Sequence, residues 1–151
     1  MKSVLSLVPI VLEGYVVLFL LLHDWVPLGR LNNIHSKGEA HSLWLRVVGT
    51  IIPVALPIVG LAGSLAYCGS IYPRWLVVDL WVGYIFLLIG ILEAWWIPYF
   101  FREQPKRAEM YRVLFEGTHR FLPERNGITP DTLHVSFHLA TVLVLVLLAL
   151  R

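Results

Sequence analysis

The sequence predicts an all-α integral membrane protein: a bundle of four transmembrane helices with a short amphipathic interfacial helix in the third loop. Hydrophobic residues make up 58% of the chain and charged residues 15%, whereas a soluble domain usually carries about 25% charged residues. The mean hydropathy is +0.73. The apolar residues also gather in four segments, each long enough to cross a bilayer. These observations exclude an ordinary soluble domain.

The four segments run roughly over residues 4–22, 47–71, 75–101 and 133–150. At a rise of about 1.5 Å per residue, a helix of about 20 residues crosses a hydrocarbon core of about 30 Å. The first segment is too long for the apolar core of a signal peptide, carries Glu13 and lacks a following cleavage site. We therefore interpret it as a retained helix. Residues 1–151 are expected to form a single transmembrane domain.

The basic residues predict the orientation. Four spans place both termini and the turn at 70–74 on one side, and the two long loops on the other. The first side holds Lys2, Arg74 and Arg151. The second side holds Arg30, Lys37, Arg46, Arg102, Lys106, Arg107, Arg112, Arg120 and Arg125. Because short loops rich in Lys and Arg stay cytoplasmic, we expect an inner-membrane protein with cytoplasmic long loops and both termini outside.

The third loop predicts the interfacial helix at about residues 105–116. Pro105 suits a first helical position, and Gly117 suits the position just past the end. Met110, Val113 and Leu114 are expected to lie on the bilayer, with the charged residues facing water. Thr129, Pro130 and Asp131 follow as a cap, a first-position Pro and a first-turn acid that open the fourth helix.

The second segment contains Pro53 and Pro57, which are expected to bend its helix. One face at helical spacing carries Thr50, Pro53, Pro57, Gly60 and Ser64. This face predicts either close helix packing through small residues or a cavity lined by freed carbonyl groups.

Ionisable side chains inside the spans are the candidate functional groups. A charge in hydrocarbon costs at least about 2.5–3.5 kcal/mol, so such residues usually face the bundle interior and mark function. Glu13, Glu93 and His138 lie about 14, 12 and 8 Å from the cytoplasmic ends of their segments. We expect them to meet at one level, with Glu93 pointing inward and Arg46 as the nearest compensating cation. Asp79 is expected to pair with Arg74 instead.

Histidines and tryptophans extend this candidate site. The histidines (His23, His35, His41, His119, His134 and His138) all fall in the cytoplasmic half. His134 and His138 have the i, i+4 spacing that lets one helix face hold a metal, and the candidates for a third ligand are His119, Glu116, His41 and Glu93. A hydrogen-bonded His/Glu/Arg network is the alternative. Trp95 and Trp96 form either an interfacial belt or a pocket wall above Glu93, and we include Trp96 in the site.

The cofactor is left open, since a metal fits the histidine spacing and haem would need axial histidines from two facing helices. The expected partners are membrane lipid and a second copy or a larger membrane complex. A net charge of +2 without a basic run argues against nucleic acid.

Three functions are compatible with these residues. The first is binding of an amphipathic ligand or a partner helix at the Glu13, Glu93 and His138 level. The second is a membrane-embedded enzyme acting on a lipid-like or quinone-like substrate, with Glu93 or His138 as the base. The third is a small proton-coupled transporter. The catalytic residues, if any, stay unassigned.

Overall fold

The computed structural model describes residues 2–33, 42–101 and 104–151, with backbone alone for 2–6. Throughout these ranges the chain forms helices and turns, without a β-strand. The helices are α1 (Lys2–Leu22), α2 (Leu43–Ala66), α3 (Arg74–Ile91), α4 (Ile97–Phe100), α5 (Pro105–Leu114) and α6 (Thr132–Ala149). A 3₁₀ turn lies at Gly29–Leu31, and a π-helical turn at Leu92–Trp96 joins α3 to α4. The all-α prediction is confirmed for the described residues.

Three helical stretches are long and apolar enough to cross a membrane. They are Leu43–Ala66, Arg74–Phe100 and Thr132–Ala149, and the described part of α1 adds a shorter apolar stretch at Leu7–Leu22. This composition is compatible with a multi-pass membrane protein. Large apolar side chains are exposed along these helices, among them Val11, Leu18, Ile51, Val82, Leu139 and Leu143.

The boundaries of α2 differ from the predicted ones for local reasons. The helix begins at Leu43 rather than at 47 because the Ser42 hydroxyl accepts the Leu45 amide, with an N···O distance of 3.4 Å. It ends at Ala66 rather than at 71, and the chain then turns through Gly69, which has φ +77. A glycine adopts this left-handed conformation without steric cost.

The long helices pack around one core. α1 contacts α2 and α6, and α3 contacts the same two helices from the other side. The centre of this core is apolar and nearly inaccessible to solvent, with Val16, Leu76, Leu80 and Val144 among its members. Each helix therefore buries one face and leaves an apolar face outside.

Glycines hold α2 and α3 together near their connecting turn. A Cβ atom added to Gly63 would lie 2.6 Å from Leu76 Cδ1, and one added to Gly60 would lie 2.7 Å from Leu80 Cδ2. Gly83 packs in the same way against Leu56. At the far end of the hairpin the contacts are missing: an added Cβ at Gly49 or Gly90 meets nothing within 4 Å. The hairpin is closed at the turn and open at the other end.

Helix α5 covers the π-helical turn. The Arg107 guanidinium donates to the Glu93 carbonyl at 2.9 Å, and the Tyr111 hydroxyl donates to the Ala94 carbonyl at 2.8 Å. Leu114 is buried against Trp95, so the prediction that it lies on the bilayer is wrong, although Met110 and Val113 are exposed. The helix ends at Leu114, two residues before the predicted end.

The loop after α5 returns to α4 and then starts α6. Asn126 and Gly127 form a turn in which both have positive φ, and the Asn126 side-chain amide donates to the Tyr99 carbonyl at 3.0 Å. Asp131 is not in the first turn of α6 as predicted. It is the N-cap, and its carboxylate accepts the His134 amide at 2.8 Å.

Candidate functional site

A cavity of about 500 Å³ occupies the open end of the α2–α3 hairpin. Its walls come from α1, α2, α3, the π-helical turn and α6, and most of its lining is apolar or aromatic. The lining consists of Phe19, Leu20, His23, Val48, Gly49, Ile52, Pro53, Phe86, Leu87, Ile89, Gly90, Ile91, Glu93, Ala94, Trp95, His134, Phe137 and His138. A cavity of this size and polarity is typical of a small-molecule site.

The cavity opens to the outside between α2 and α3. Ile52 on α2 and Phe86 and Ile89 on α3 line it, and each of these side chains is at least half exposed. The deeper wall consists of the buried residues Phe137 and His138 from α6. The opening therefore faces the apolar outer surface of the helices.

The proline face of α2 has different neighbours at its two ends, and its predicted lining of a cavity by freed carbonyl groups stays a prediction. Pro53 lines the cavity, one turn from Gly49. Pro57 and Gly60 instead pack against α3, where Pro57 Cδ lies 3.7 Å from a Cβ atom added to Gly83. The face thus serves both for close packing near the turn and for a cavity wall at the other end.

His138 is the polar group of the cavity that has no hydrogen-bond partner. Its side chain is 3% exposed, and neither Nδ1 nor Nε2 has a partner among the described residues. Buried polar atoms are nearly always hydrogen-bonded, and leaving one unpaired costs about 1–3 kcal/mol. A side chain in this state on a cavity wall is well placed to bond a ligand, because a neutral imidazole offers one donor and one acceptor.

His134, one turn earlier, has its orientation fixed by Asp131. Its Nδ1 atom lies 2.9 Å from Asp131 Oδ2, and both side chains are buried. Because an ionised carboxylate only accepts hydrogen bonds, Nδ1 carries the hydrogen. Such a carboxylate partner fixes both the tautomer and the ring plane, as it does for histidines that bind ligands.

Aromatic rings enclose the two histidines. The Trp95 ring centroid lies 4.7 Å from that of His134 and 6.0 Å from that of His138. Phe19 stacks on Phe137 at 4.2 Å. The predicted Trp96 also contacts the His138 ring, at 5.8 Å, but Trp95 is the tryptophan that lines the cavity.

A second cavity of about 200 Å³ lies on the other side of these rings, toward α5. His23, Trp95 and His134 line both cavities and form a thin wall between them. His23 stacks on Phe19 at 4.5 Å, and its Nε2 atom lies 3.3 Å from Asp24 Oδ2. His23 therefore belongs to the site, although the sequence analysis placed it only in the same half of the protein.

Glu93 occupies the edge of the cavity. Its side chain lines the cavity but is exposed, so the expectation that it points into the interior is wrong. The buried face of α3 runs through Leu80, Tyr84, Leu87 and Ile91, and Glu93 follows Ile91 by two residues, which places it on the opposite side of the helix. A π-helical turn begins at Leu92, beside this position. Such single π turns inside helices frequently occur at functional sites.

Glu13 belongs to a different part of the structure. Its carboxyl group is 1% exposed and lies against Ser64 on α2, and it does not line the cavity. Ser64 is fifteen residues from Gly49, which is about 22 Å of helix rise. The prediction that Glu13, Glu93 and His138 meet at one level is therefore wrong.

Two further polar side chains, both on α3, lie in the same region as Glu13. Tyr84 on α3 is 0% exposed, within electrostatic reach of Glu13 and Asp79, and Asp79 Oδ2 is buried beside Gly60. The expected Asp79–Arg74 pair is not formed in the described structure. We call Glu13, Ser64, Asp79 and Tyr84 the carboxyl cluster.

Arg46 contacts residues of the first loop and not the carboxyl groups of Glu13 and Glu93. Its Nη2 atom donates to the Asp24 carbonyl, and its guanidinium lies 4.5 Å from the Trp25 ring centroid. The Trp25 indole in turn donates to the Thr50 hydroxyl at 2.9 Å. Arg46 is not among the described residues that line the cavity, so the prediction that it compensates Glu13 and Glu93 is not supported by its contacts.

The predicted metal ligands are not brought together. His119 is exposed and bonds the Thr132 hydroxyl at 2.7 Å through Nδ1, away from the cavity that His134 and His138 line. Among the described side chains, no group of three or more His, Cys, Asp and Glu residues is arranged to hold a metal ion. His35 and His41 lie outside the described residues.

Comparison of the chain with protein-family models, curated proteins and solved structures found no match.

Proposed function

We propose that the protein is a small polytopic inner-membrane protein that binds one amphipathic molecule in the cavity between α2 and α3. The observation that carries the proposal is His138: a buried imidazole with two unpartnered nitrogens on the wall of a cavity of about 500 Å³. A ligand that bonds His138 satisfies these nitrogens and buries its apolar part against Phe19, Trp95 and Phe137. The ligand enters sideways from the lipid through the opening at Ile52 and Phe86.

The lining favours a ligand with an uncharged polar headgroup. The described lining residues include His23, His134 and His138 but no Lys or Arg, and the carboxylate at its edge is Glu93. An anionic headgroup would enter a space of low dielectric without a permanent cation, which is costly. A carbonyl or hydroxyl headgroup needs only the hydrogen bonds that an imidazole offers. A quinone or an isoprenoid alcohol has this chemistry.

The membrane placement is part of the same proposal. Four spans, with α1 as the first, would put both termini and the α2–α3 turn outside and the cavity near the cytoplasmic side. The nine basic residues of the two long loops support this orientation, and the exposed apolar faces of the helices support insertion in lipid.

A membrane-embedded enzyme acting on a quinone-like substrate is the second candidate. The unpartnered His138 nitrogens favour it, since the same imidazole that bonds a headgroup can exchange a proton with it. The enzyme hypothesis requires turnover of the bound molecule, whereas the binding hypothesis requires only occupancy.

Native mass spectrometry of the protein purified in mild detergent tests the proposal. We expect a species heavier than the 17.2 kDa chain by the mass of one small amphipathic molecule. After removal of bound lipid, the protein should bind decylubiquinone and bind dodecanoate much more weakly. A clean chain that takes up neither probe contradicts the proposal. Stronger binding of dodecanoate contradicts the assignment of an uncharged headgroup.

A further inference from the structure

The carboxyl cluster lies in the closed half of the bundle, apart from the cavity. Its members come from three helices: Glu13 from α1, Ser64 from α2, and Asp79 and Tyr84 from α3. Close packing through Gly60 and Gly63 surrounds it, and Asp79 Oδ2 lies 3.1 Å from a Cβ atom added to Gly60. The cluster is therefore built into the tightest contact between α2 and α3.

Three members have a buried oxygen without a hydrogen-bond partner in the described structure: Glu13 Oε2, Asp79 Oδ2 and Tyr84 Oη. Ser64 lies within hydrogen-bonding reach of the Glu13 carboxyl group. Glu13 and Tyr84 are both at most 1% exposed. Unsatisfied oxygens on side chains that are this deeply buried require something that supplies the missing bonds.

The surroundings contain little compensating charge. The Arg151 guanidinium, at the end of the chain after α6, is close enough to act on Glu13, but it is exposed and lies 4.1 Å from the Tyr72 ring centroid. The facing α2 side chain is the uncharged Ser64. An ionised Glu13 in this apolar space would lose its hydration, and so would the buried Oδ2 atom of Asp79.

Binding of a proton would address both the buried charge and the unsatisfied oxygens. A carboxylate only accepts hydrogen bonds, whereas a neutral carboxyl also donates one. Protonation therefore removes a buried charge and adds the donor that the oxygens around it need. We infer that the carboxyl cluster is a proton-binding site, with one or both carboxyl groups held neutral between α1, α2 and α3. This inference goes beyond ligand binding in the cavity and does not depend on it.

Infrared spectroscopy of the reconstituted protein tests the inference, because a neutral carboxyl has a carbonyl stretching band that an ionised carboxylate lacks. We expect this band at neutral pH and its loss at alkaline pH. Glu13→Gln or Asp79→Asn should remove it wholly or in part. The control Glu109→Gln changes an exposed carboxylate that bonds Arg112 at 2.6 Å, and it should leave the band unchanged.

Two hydroxyl variants keep the test decisive if the carboxyl variants fail to fold. Tyr84→Phe and Ser64→Ala retain both carboxyl groups but remove a neighbour, so at least one should shift the band. The inference is overturned if the band is absent at neutral pH, or if no variant of the cluster changes it. It is also overturned if the band appears only when sodium is removed, which would assign the oxygens to a metal cation.

Discussion

The Nδ1 atom of His134 lies 2.9 Å from the Oδ2 atom of Asp131, and the same carboxylate accepts the backbone amide of His134 at the start of α6. One side chain therefore both caps the helix and fixes the ring. His138, one turn later, has no such partner. The two histidines of the pair thus have different surroundings: His134 is held by the protein, and His138 is the residue proposed to bond a ligand.

Asp131→Ala should lower the free energy of unfolding by about 1–3 kcal/mol, because it removes both an N-cap and a buried hydrogen bond to His134. Asp131→Asn retains a capping oxygen and should lose less. Chemical denaturation in detergent measures both. Ser42→Ala is the matched control, since this cap of α2 is exposed and its N···O distance is 3.4 Å, and its loss should be smaller. Equal losses for all three variants would contradict the dual role.

His138→Phe should separate stability from binding. The substitution removes two buried nitrogens without partners, so the unliganded protein should gain about 1 kcal/mol of unfolding free energy. Its affinity for decylubiquinone should fall about tenfold, which corresponds to one lost hydrogen bond of about 1.4 kcal/mol.

Thr141→Val provides the control for His138. Thr141 lies almost one turn further along α6, is fully buried and donates to the Phe137 carbonyl at 3.0 Å, and it does not line the cavity. This variant should lose stability and keep the affinity. A His138→Phe protein that binds the quinone as tightly as the wild type would show that His138 does not bond the ligand.

The α2–α3 hairpin should respond to added methyl groups only near its turn. Gly63→Ala places a Cβ atom 2.6 Å from Leu76 Cδ1 and should cost about 1–3 kcal/mol through overpacking. Gly49→Ala makes the same chemical change on the same helix, where nothing lies within 4 Å. It should be neutral or slightly stabilising, since alanine favours the helix by up to about 1 kcal/mol. Similar losses of stability at both positions would contradict the conclusion that the hairpin is tightly packed at its turn and open at its other end.

Cys68 reports the orientation of the protein directly. It is the one cysteine of the chain and is exposed next to the turn between α2 and α3. A membrane-impermeant maleimide should label it from the outer side of the inner membrane. In a Cys68→Ser background, Glu116→Cys in the third loop should be labelled only after that membrane is opened. The reverse pattern would invert the proposed topology.

Most helix positions could be predicted from the sequence, because the hydropathy and length of each segment can be read without knowing how the segments pack. Residues 4–22, 75–101 and 133–150 lie within two residues of the observed helix boundaries. The site was harder to predict, because the depths of Glu13, Glu93 and His138 were counted along straight helices, and this count does not show which way each side chain faces. Glu93 lies opposite the buried face of α3, which runs through Leu87 and Ile91, and the approach of Glu13 to Ser64 arises only from the packing of α1 on α2. The one sequence signal for the turn at Leu92–Trp96 is Pro98, which has no amide hydrogen to donate to the Ala94 carbonyl.

If a ligand occupies the space beside Gly90, as proposed, a large side chain at this position should exclude it. Gly90 and Gly14 both have free space for a Cβ atom, but only Gly90 lines the cavity. Both Gly90→Leu and Gly14→Leu should fold. In native mass spectra, Gly90→Leu should lose the bound small molecule and its uptake of decylubiquinone, whereas Gly14→Leu should keep both. Retention of the ligand by a folded Gly90→Leu protein would contradict the account.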